Sequence, residues 1–149
     1  MTNLEAVLPC PQHGVRCIDI SMRALLLLFI DLAKKYPQHK FIWFGKIYSK
    51  LMAAGLPKEL PSNVKFTGFV DDVGAAFNCL DIFVFLSDEE NQGMVLLEAA
   101  ATGLPVVVRD LPAYHGWLKH NENCLSAKNN DELFKYLDLL ISDPALRDR

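Results

Sequence analysis

Two apolar runs and the segment between them decide the fold: residues 82–108 read IFVFLSDEENQGMVLLEAAATGLPVVV. The runs at 82–86 and 106–108 have no polar alternation, which is typical of strands buried on both faces of a parallel sheet. Residues 93–102 between them are predicted to form a helix that ends at Gly103, because glycine suits the left-handed position past a helix end. The stretch therefore predicts two parallel strands joined by a crossover helix.

The same alternation continues on both sides of this stretch. Further strands are predicted at residues 15–20, 41–44, 64–67 and 124–127. Further helices are predicted at residues 22–36, 72–80 and 131–142. Asp71 or Asp72 is the expected cap of the second of these helices, and Asn130 is the expected cap of the third. The whole pattern predicts an α/β fold, a Rossmann-like parallel sheet of about five or six strands flanked by helices.

Length and composition exclude several classes of protein. A chain of 149 residues and 16.8 kDa has the size of one domain, and 51% hydrophobic with 22% charged residues is a globular composition. A net charge of −3 argues against nucleic-acid binding by bulk charge. The apolar run at residues 24–30 is much shorter than the roughly 20 residues that a bilayer span needs. We therefore expect a cytoplasmic protein without a nucleic-acid partner.

The N-terminal segment departs from the alternating pattern. Pro9, Pro11 and Gly14 interrupt a stretch without clear periodicity. Residues 1–20 are therefore predicted to be an irregular, poorly packed leader, and residues 21–149 to be the folded domain. Only the end of this leader resembles a strand, so the sheet is expected to be completed there or to lack its usual first strand.

The four cysteines do not indicate a disulfide or a metal site. They are scattered in a chain large enough to fold without disulfides, so reduced thiols are expected. Cys10, His13 and Cys17 could supply three zinc ligands, but neither a CxxC pair nor a fourth ligand accompanies them, as a structural zinc site requires. No metal site is predicted.

The loop after the strand at 82–86 has the composition of an anion site. Ligands of open parallel sheets bind outside the carboxyl ends of the strands, where this loop lies. Asp88, Glu89 and Glu90 precede Gly93, which begins the apolar helix. The exposed N–H groups at a helix start bind anions, and a diphosphate is the natural candidate.

The glutamates of this segment allow two interpretations. Glu90 and Glu98 flank the helix start, and their carboxylates suit the hydroxyls of a sugar and a ribose because they accept strong charge-assisted hydrogen bonds. Alternatively, acids near a helix N-terminus only complement the macrodipole, which is sufficient for Asp88 to Glu90. That reading does not account for Glu98, which lies in an apolar helix where an unpartnered charge would be costly. The residues alone leave both interpretations open.

The spacing of the two glutamates carries a family resemblance. Glu90, seven residues, then Glu98, followed by AAATGLPVV at 99–107, resembles the signature of retaining glycosyltransferases of the GT-B fold, the group 1 family. The resemblance extends from about Phe29 to Asp143 and implies the C-terminal, donor-binding half of such an enzyme. Residues 109–118 are similar to bacterial glycolipid enzymes such as diacylglycerol glucosyltransferases.

The resemblance implies a role for each matching residue. Glu90 would contact the hydroxyls of the donor sugar and Glu98 the ribose of a nucleotide, which we expect to be UDP. Gly93 and Met94 would offer backbone N–H groups to the sugar and the diphosphate. Neither a cofactor nor a metal is expected, and the catalytic residue is left unassigned. The residues that would border the base are Gly68, Phe69 and Val70.

The sequence also departs from the family pattern. The Gly-Arg and Lys-Gly pairs, whose cations clamp the leaving diphosphate in the family, are absent from residues 15–28; Lys46 or Arg109 are candidate substitutes. The acceptor domain, which usually carries the catalytic histidine, is also missing. We therefore expect donor binding without transfer by this chain alone, and contact with a membrane surface only through a full-length enzyme. A non-catalytic interaction module and another sugar-nucleotide enzyme, such as an epimerase, stay open.

Overall fold

The computed structural model describes residues 5–9, 20–45 and 56–147. Its strands are β1 Glu5–Pro9, β2 Lys40–Phe44, β3 Val64–Gly68, β4 Ile82–Phe85, β5 Val106–Arg109 and β6 Leu125–Ala127. Its helices are α1 Ile20–Lys35, α2 Val73–Asn78, α3 Met94–Ala101, α4 Asn130–Ser142 and α5 Pro144–Arg147. The strands form one parallel sheet in the order β3-β2-β1-β4-β5-β6, which confirms the predicted fold class.

The first strand lies earlier in the chain than the sequence predicts. The first strand of the sheet is β1, which lies between β2 and β4, and not the segment predicted at residues 15–20, whose last residue, Ile20, begins α1. Residues 15–19 lie outside the described residues. The apolar run of β1 is only Ala6, Val7 and Leu8, flanked by a glutamate and a proline, so its pattern is too short to stand out. The predicted leader, residues 1–20, thus includes one strand of the sheet.

Helices cover both faces of the sheet and form two hydrophobic clusters. α1 and α4 pack on one face, and α2 and α3 pack on the other. The first cluster lies under α1 and α4, and the second lies under α2 and α3. β4 is buried along its whole length because its side chains alternate between them: Ile82 and Val84 face the first cluster, and Phe83 and Phe85 face the second. Continuous apolar character in this strand is therefore required by burial on both faces.

The helix ends largely follow the sequence. The Asp72 carboxylate caps α2 by accepting a 2.8 Å hydrogen bond from Ala75 N–H, so this residue has the predicted capping role. The cap of α4 is Asn129 rather than Asn130, because the helix begins one residue earlier than predicted; its side chain accepts from Glu132 N–H. Gly103 has a φ of +75°, as expected past the end of α3. In the part of the chain that the structure describes, no helix combines the length and apolarity needed to cross a membrane.

Candidate functional site

The β4–α3 loop, residues 86–93, lies at the carboxyl edge of the sheet and carries the predicted acids. Its hydrogen bonds are short-range: Ser87 Oγ donates to the Glu89 carbonyl at 2.6 Å. The Glu90 carboxylate accepts from Asn91 N–H at 2.9 Å and, at the longer distance of 3.5 Å, from Gln92 N–H, both through Oε1. The second oxygen of Glu90 has no hydrogen-bond partner among the described residues, so it is free to accept one from a ligand.

Gly93 opens helix α3 without a capping side chain. It is the N-cap residue, with φ +62° and ψ +43°, a left-handed conformation that favours glycine. Leu96 N–H donates to the Gly93 carbonyl at 2.8 Å, but the N–H groups that precede it in the first turn have no partner within the helix, and no side chain caps them. The start of α3 therefore presents backbone donors and the positive end of the helix dipole to an anion.

The ring of Tyr114 packs against the start of this helix. It ends the 3-10 turn Pro112–Tyr114 after β5, and its side chain is buried. A Cβ placed on Gly93 would be 2.9 Å from Tyr114 Cε1, so the ring contacts the glycine directly. Burial raises the pKa of the Tyr114 hydroxyl, and the nearby Glu90 carboxylate raises it further. The phenol therefore stays neutral beside Glu90. The sequence spacing of Gly93 and Tyr114 carries no signal of this contact.

Glu98 lies one turn beyond Met94 on the exposed side of α3. Both side chains are exposed, as is Leu97, and Glu98 has no hydrogen bond or ion pair with another described residue. Its charge is therefore not buried among apolar side chains, as its sequence context suggests, because α3 turns Leu96 and Ala99, with Val95 partly buried beside them, toward the core instead. An exposed carboxylate beside the helix start is open to a ligand, and its contact with a ribose stays a prediction.

The residues expected to border the base form a separate group on the same edge. Gly68 ends β3 with φ +72°, and its carbonyl accepts a 2.8 Å hydrogen bond from Gly45 N–H at the end of β2. Phe69 is 60% exposed beyond the strand, and Val70 is half-buried. β3 is three positions from β4 in the sheet, or about 14 Å at the usual strand spacing. The fold thus places the two groups at one edge but not in contact.

Arg109 connects the β4–α3 loop to the neighbouring strand. Its Nε lies 3.4 Å from Asp88 Oδ1, and its Nη2 donates to Asn130 Oδ1 at 3.1 Å. The side chain of Arg109, a candidate substitute cation for the diphosphate, is directed to Asp88. Lys46, the other candidate, lies outside the described residues. On the same segment, His115 Nε2 lies 3.0 Å from Asp110 Oδ1.

Nothing in the described part of the chain assembles a metal site. No group of three or more His, Cys, Asp or Glu side chains could hold an ion there. Asp72 caps a helix, and Asp88 pairs with Arg109. Cys10, His13 and Cys17 lie outside the described residues.

Comparison with protein families identifies the domain. Residues 19–143 match the family model described as glycosyl transferases group 1. The chain belongs to this family. Among curated relatives of this group 1 glycosyltransferase, the processive diacylglycerol alpha-glucosyltransferase of Acholeplasma laidlawii is 38% identical over 121 residues, covering 77% of the chain and 36% of the relative. An uncharacterized glycosyltransferase of Haemophilus influenzae is 33% identical over 127 residues, covering 82% of the chain and 36% of the relative.

Solved structures confirm the GT-B fold for this group 1 glycosyltransferase chain. Anabaena HepE in complex with UDP-glucose superimposes with a TM-score of 0.76 at 20% identity, over 98% of this chain and 41% of that one. The C-terminal domain of a glycosyl transferase group 1 family protein from Francisella tularensis superimposes with a TM-score of 0.67 at 24% identity, over 98% of this chain and 78% of that one. The chain therefore has the fold of the C-terminal GT-B domain, and it spans about a third of the length of the curated relatives it matches.

Proposed function

We propose that this chain is the donor-binding domain of a retaining glycosyltransferase that transfers a hexose from UDP to a lipid or saccharide acceptor. The observation that carries the proposal is the uncapped start of α3 between Glu90 and Glu98, at the carboxyl edge of the sheet. Backbone donors and a helix dipole suit a diphosphate, and the flanking carboxylates suit the hydroxyls on either side of it.

Each group of the donor has a proposed partner. Gly93 and Met94 N–H bind the diphosphate and the adjoining sugar, and the free oxygen of Glu90 accepts from sugar hydroxyls. Glu98 accepts from the ribose. The base lies toward Gly68, Phe69 and Val70, along the same edge. No cofactor or metal enters this proposal.

Two similar proteins support the choice of substrate. HepE was crystallised with UDP-glucose, which favours a UDP-linked hexose as the donor here. The Acholeplasma relative is named for glucosyl transfer to diacylglycerol, which favours a lipid acceptor and, through the full-length enzyme, a membrane surface. The acceptor would be held by the part of the enzyme that the relatives have beyond this domain.

The proposed site acts on the leaving group. As the bond between the sugar and the diphosphate breaks, negative charge builds on the phosphate, and preorganised N–H groups stabilise that charge without having to reorient. Holding the attacking hydroxyl in line contributes about 7–11 kcal/mol in well-oriented reactions. The proposed site holds the donor and not the acceptor, so we expect the 149-residue chain by itself to bind the donor but not to transfer the sugar.

Calorimetric titration of the 149-residue chain with UDP, GDP and TDP, and with their glucose conjugates, tests the proposal. We expect UDP compounds to bind most tightly. An absence of binding at millimolar concentration for every nucleotide would favour an interaction module instead. An assay with radiolabelled UDP-glucose and diacylglycerol in detergent tests the second expectation, and turnover clearly above the uncatalysed rate would contradict it.

A further inference from the structure

A nearly buried arginine joins three segments at the carboxyl edge of the sheet. Arg109 is the last residue of β5, and only 14% of its side chain is exposed. Its guanidinium meets Asp88 in the β4–α3 loop and Asn130 at the first turn of α4. A charge withdrawn from water is tolerated where it is paired, so Asp88 is a partner that Arg109 needs.

Leu86 and Gly93, at the two ends of the β4–α3 loop, are packed against the core, but the polar residues between them have few ties to the rest of the domain. Ser87 and Glu90 form their hydrogen bonds within the loop itself. Among described residues, the Arg109–Asp88 contact is the one side-chain hydrogen bond or ion pair that connects the loop to another element. Asp88 is two residues from Glu90, so its position constrains the carboxylate that faces the ligand.

We propose that Arg109 is a positioning residue that fixes the β4–α3 loop through Asp88 and thereby sets Glu90 and the start of α3 for donor binding. This inference rests on the proposed function. Arg109 does not touch the donor in this arrangement; it acts through the loop. Its planar fork meets Asp88 with Nε and Asn130 with Nη2, whereas a lysine ammonium presents a single point charge that cannot reproduce both contacts.

Three variants of the full 149-residue chain test the inference, each with two measurements. Arg109→Met keeps the aliphatic stem but removes the charge, Asp88→Asn removes the opposite charge, and the double variant removes both. Asp110→Asn is the matched control, because it alters the neighbouring hydrogen bond with His115, which does not reach the loop. Hydrogen exchange of the Asn91 and Gln92 amides reports loop order without any ligand, and calorimetry gives the Kd for UDP.

We expect each single variant to speed exchange in the loop but not in β4, and to raise the Kd for UDP about tenfold, because the ion pair that ties the loop to β5 is lost. The double variant is expected to be no weaker than either single one, because the two residues act as a unit. Arg109→Lys should fall short of full rescue, and Asp110→Asn should match the wild type in both measurements.

The two proposals fail in different ways. If the wild type binds no UDP, the proposed function is wrong, while faster loop exchange in Arg109→Met still supports positioning of the loop. If the wild type binds UDP but Arg109→Met and Asp88→Asn leave both loop exchange and the Kd unchanged, the inference about Arg109 is overturned. If Arg109→Met and Asp88→Asn lower the melting temperature but leave loop exchange unchanged, Arg109 stabilises the fold without positioning the loop, and the inference is likewise overturned.

Discussion

The ring of Tyr114 lies against Gly93, so that a methyl group on the glycine would be 2.9 Å from Tyr114 Cε1 and 2.9 Å from Leu96 Cδ1. The Leu96 atom ends a flexible side chain, but the tyrosine ring is buried and cannot move aside without disturbing the second core cluster. Gly93 is therefore required twice, by its positive φ and by the close approach of a neighbouring segment.

Replacing Gly93 with alanine is expected to cost about 2–4 kcal/mol of unfolding free energy, from left-handed strain together with overpacking. Gly103→Ala is the matched control, because Gly103 has φ +75° but nothing within 4 Å of a new Cβ. It should lose only the strain, about 1–2 kcal/mol. Urea unfolding measures both losses, and equal values would contradict the proposed clash.

Glu98→Gln is expected to weaken UDP binding about tenfold while leaving unfolding free energy within about 0.5 kcal/mol of the wild type. The side chain is exposed and unpaired among the described residues, so the fold does not depend on its charge. Calorimetry and urea unfolding separate the two effects. Glu122→Gln, at an exposed acid of the loop before β6, provides the control; equal Kd values for the two variants would remove Glu98 from the donor site.

Phe69 and Phe66 offer a paired test of where the base lies. Phe66 packs against the first core cluster and Phe29, whereas Phe69 is exposed beyond the strand. Phe69→Ala should weaken UDP binding with little change in melting temperature, and Phe66→Ala should lower the melting temperature because it opens a cavity. A Phe69→Ala variant that melts early but binds normally would reverse this assignment.

The side-chain amide of Asn63 stabilises the end of α1, and substitutions at this position test that role. Its Nδ2 donates to the carbonyls of Ala33, Tyr36 and His39 at 2.9, 3.1 and 2.8 Å, so one amide group satisfies the end of α1 and the turn after it. Asn63→Ala should cost about 1–3 kcal/mol of unfolding free energy. Asn63→Asp should cost more at neutral pH, since a carboxylate cannot donate and is repelled by three carbonyls. Urea unfolding that ranks the aspartate variant as the more stable would contradict this role.

Burial raises the pKa of the Cys124 thiol to about 11, from an ordinary value of 9.0, and Asp110 adds a smaller effect in the same direction. The neutral thiol is favoured in the folded chain, so its stabilisation is complete below pH 9 and is lost as pH rises toward 11. Between pH 8 and pH 11, the unfolding free energy of Cys124→Ala should therefore rise by about 1–2 kcal/mol relative to that of the wild type. Urea unfolding at both pH values measures this gain, and an equal difference between the two proteins at pH 8 and pH 11 would contradict it.

The sequence by itself determined the features that depend on neighbours along the chain. The run at 82–86 predicted a buried strand because a strand covered on both faces needs apolar side chains in succession. Gly103 marked the end of α3 and Asp72 the start of α2 for equally local reasons, since both act on backbone groups a few residues away. Glu90, Gly93 and Glu98 belong to one strand, loop and helix, so their spacing alone grouped them at the candidate site.

Tertiary structure alone decided the rest, because it depends on which segments become neighbours in the sheet. The central place of β1 follows from backbone pairing with β2 and β4, which is not visible in a five-residue strand of mixed composition. Arg109 reaches Asp88, and Tyr114 reaches Gly93, only because β5 lies beside β4. Glu98 is exposed because the opposite side of α3 packs on the sheet. The helix is apolar and only weakly amphipathic, so its sequence does not show which side that is.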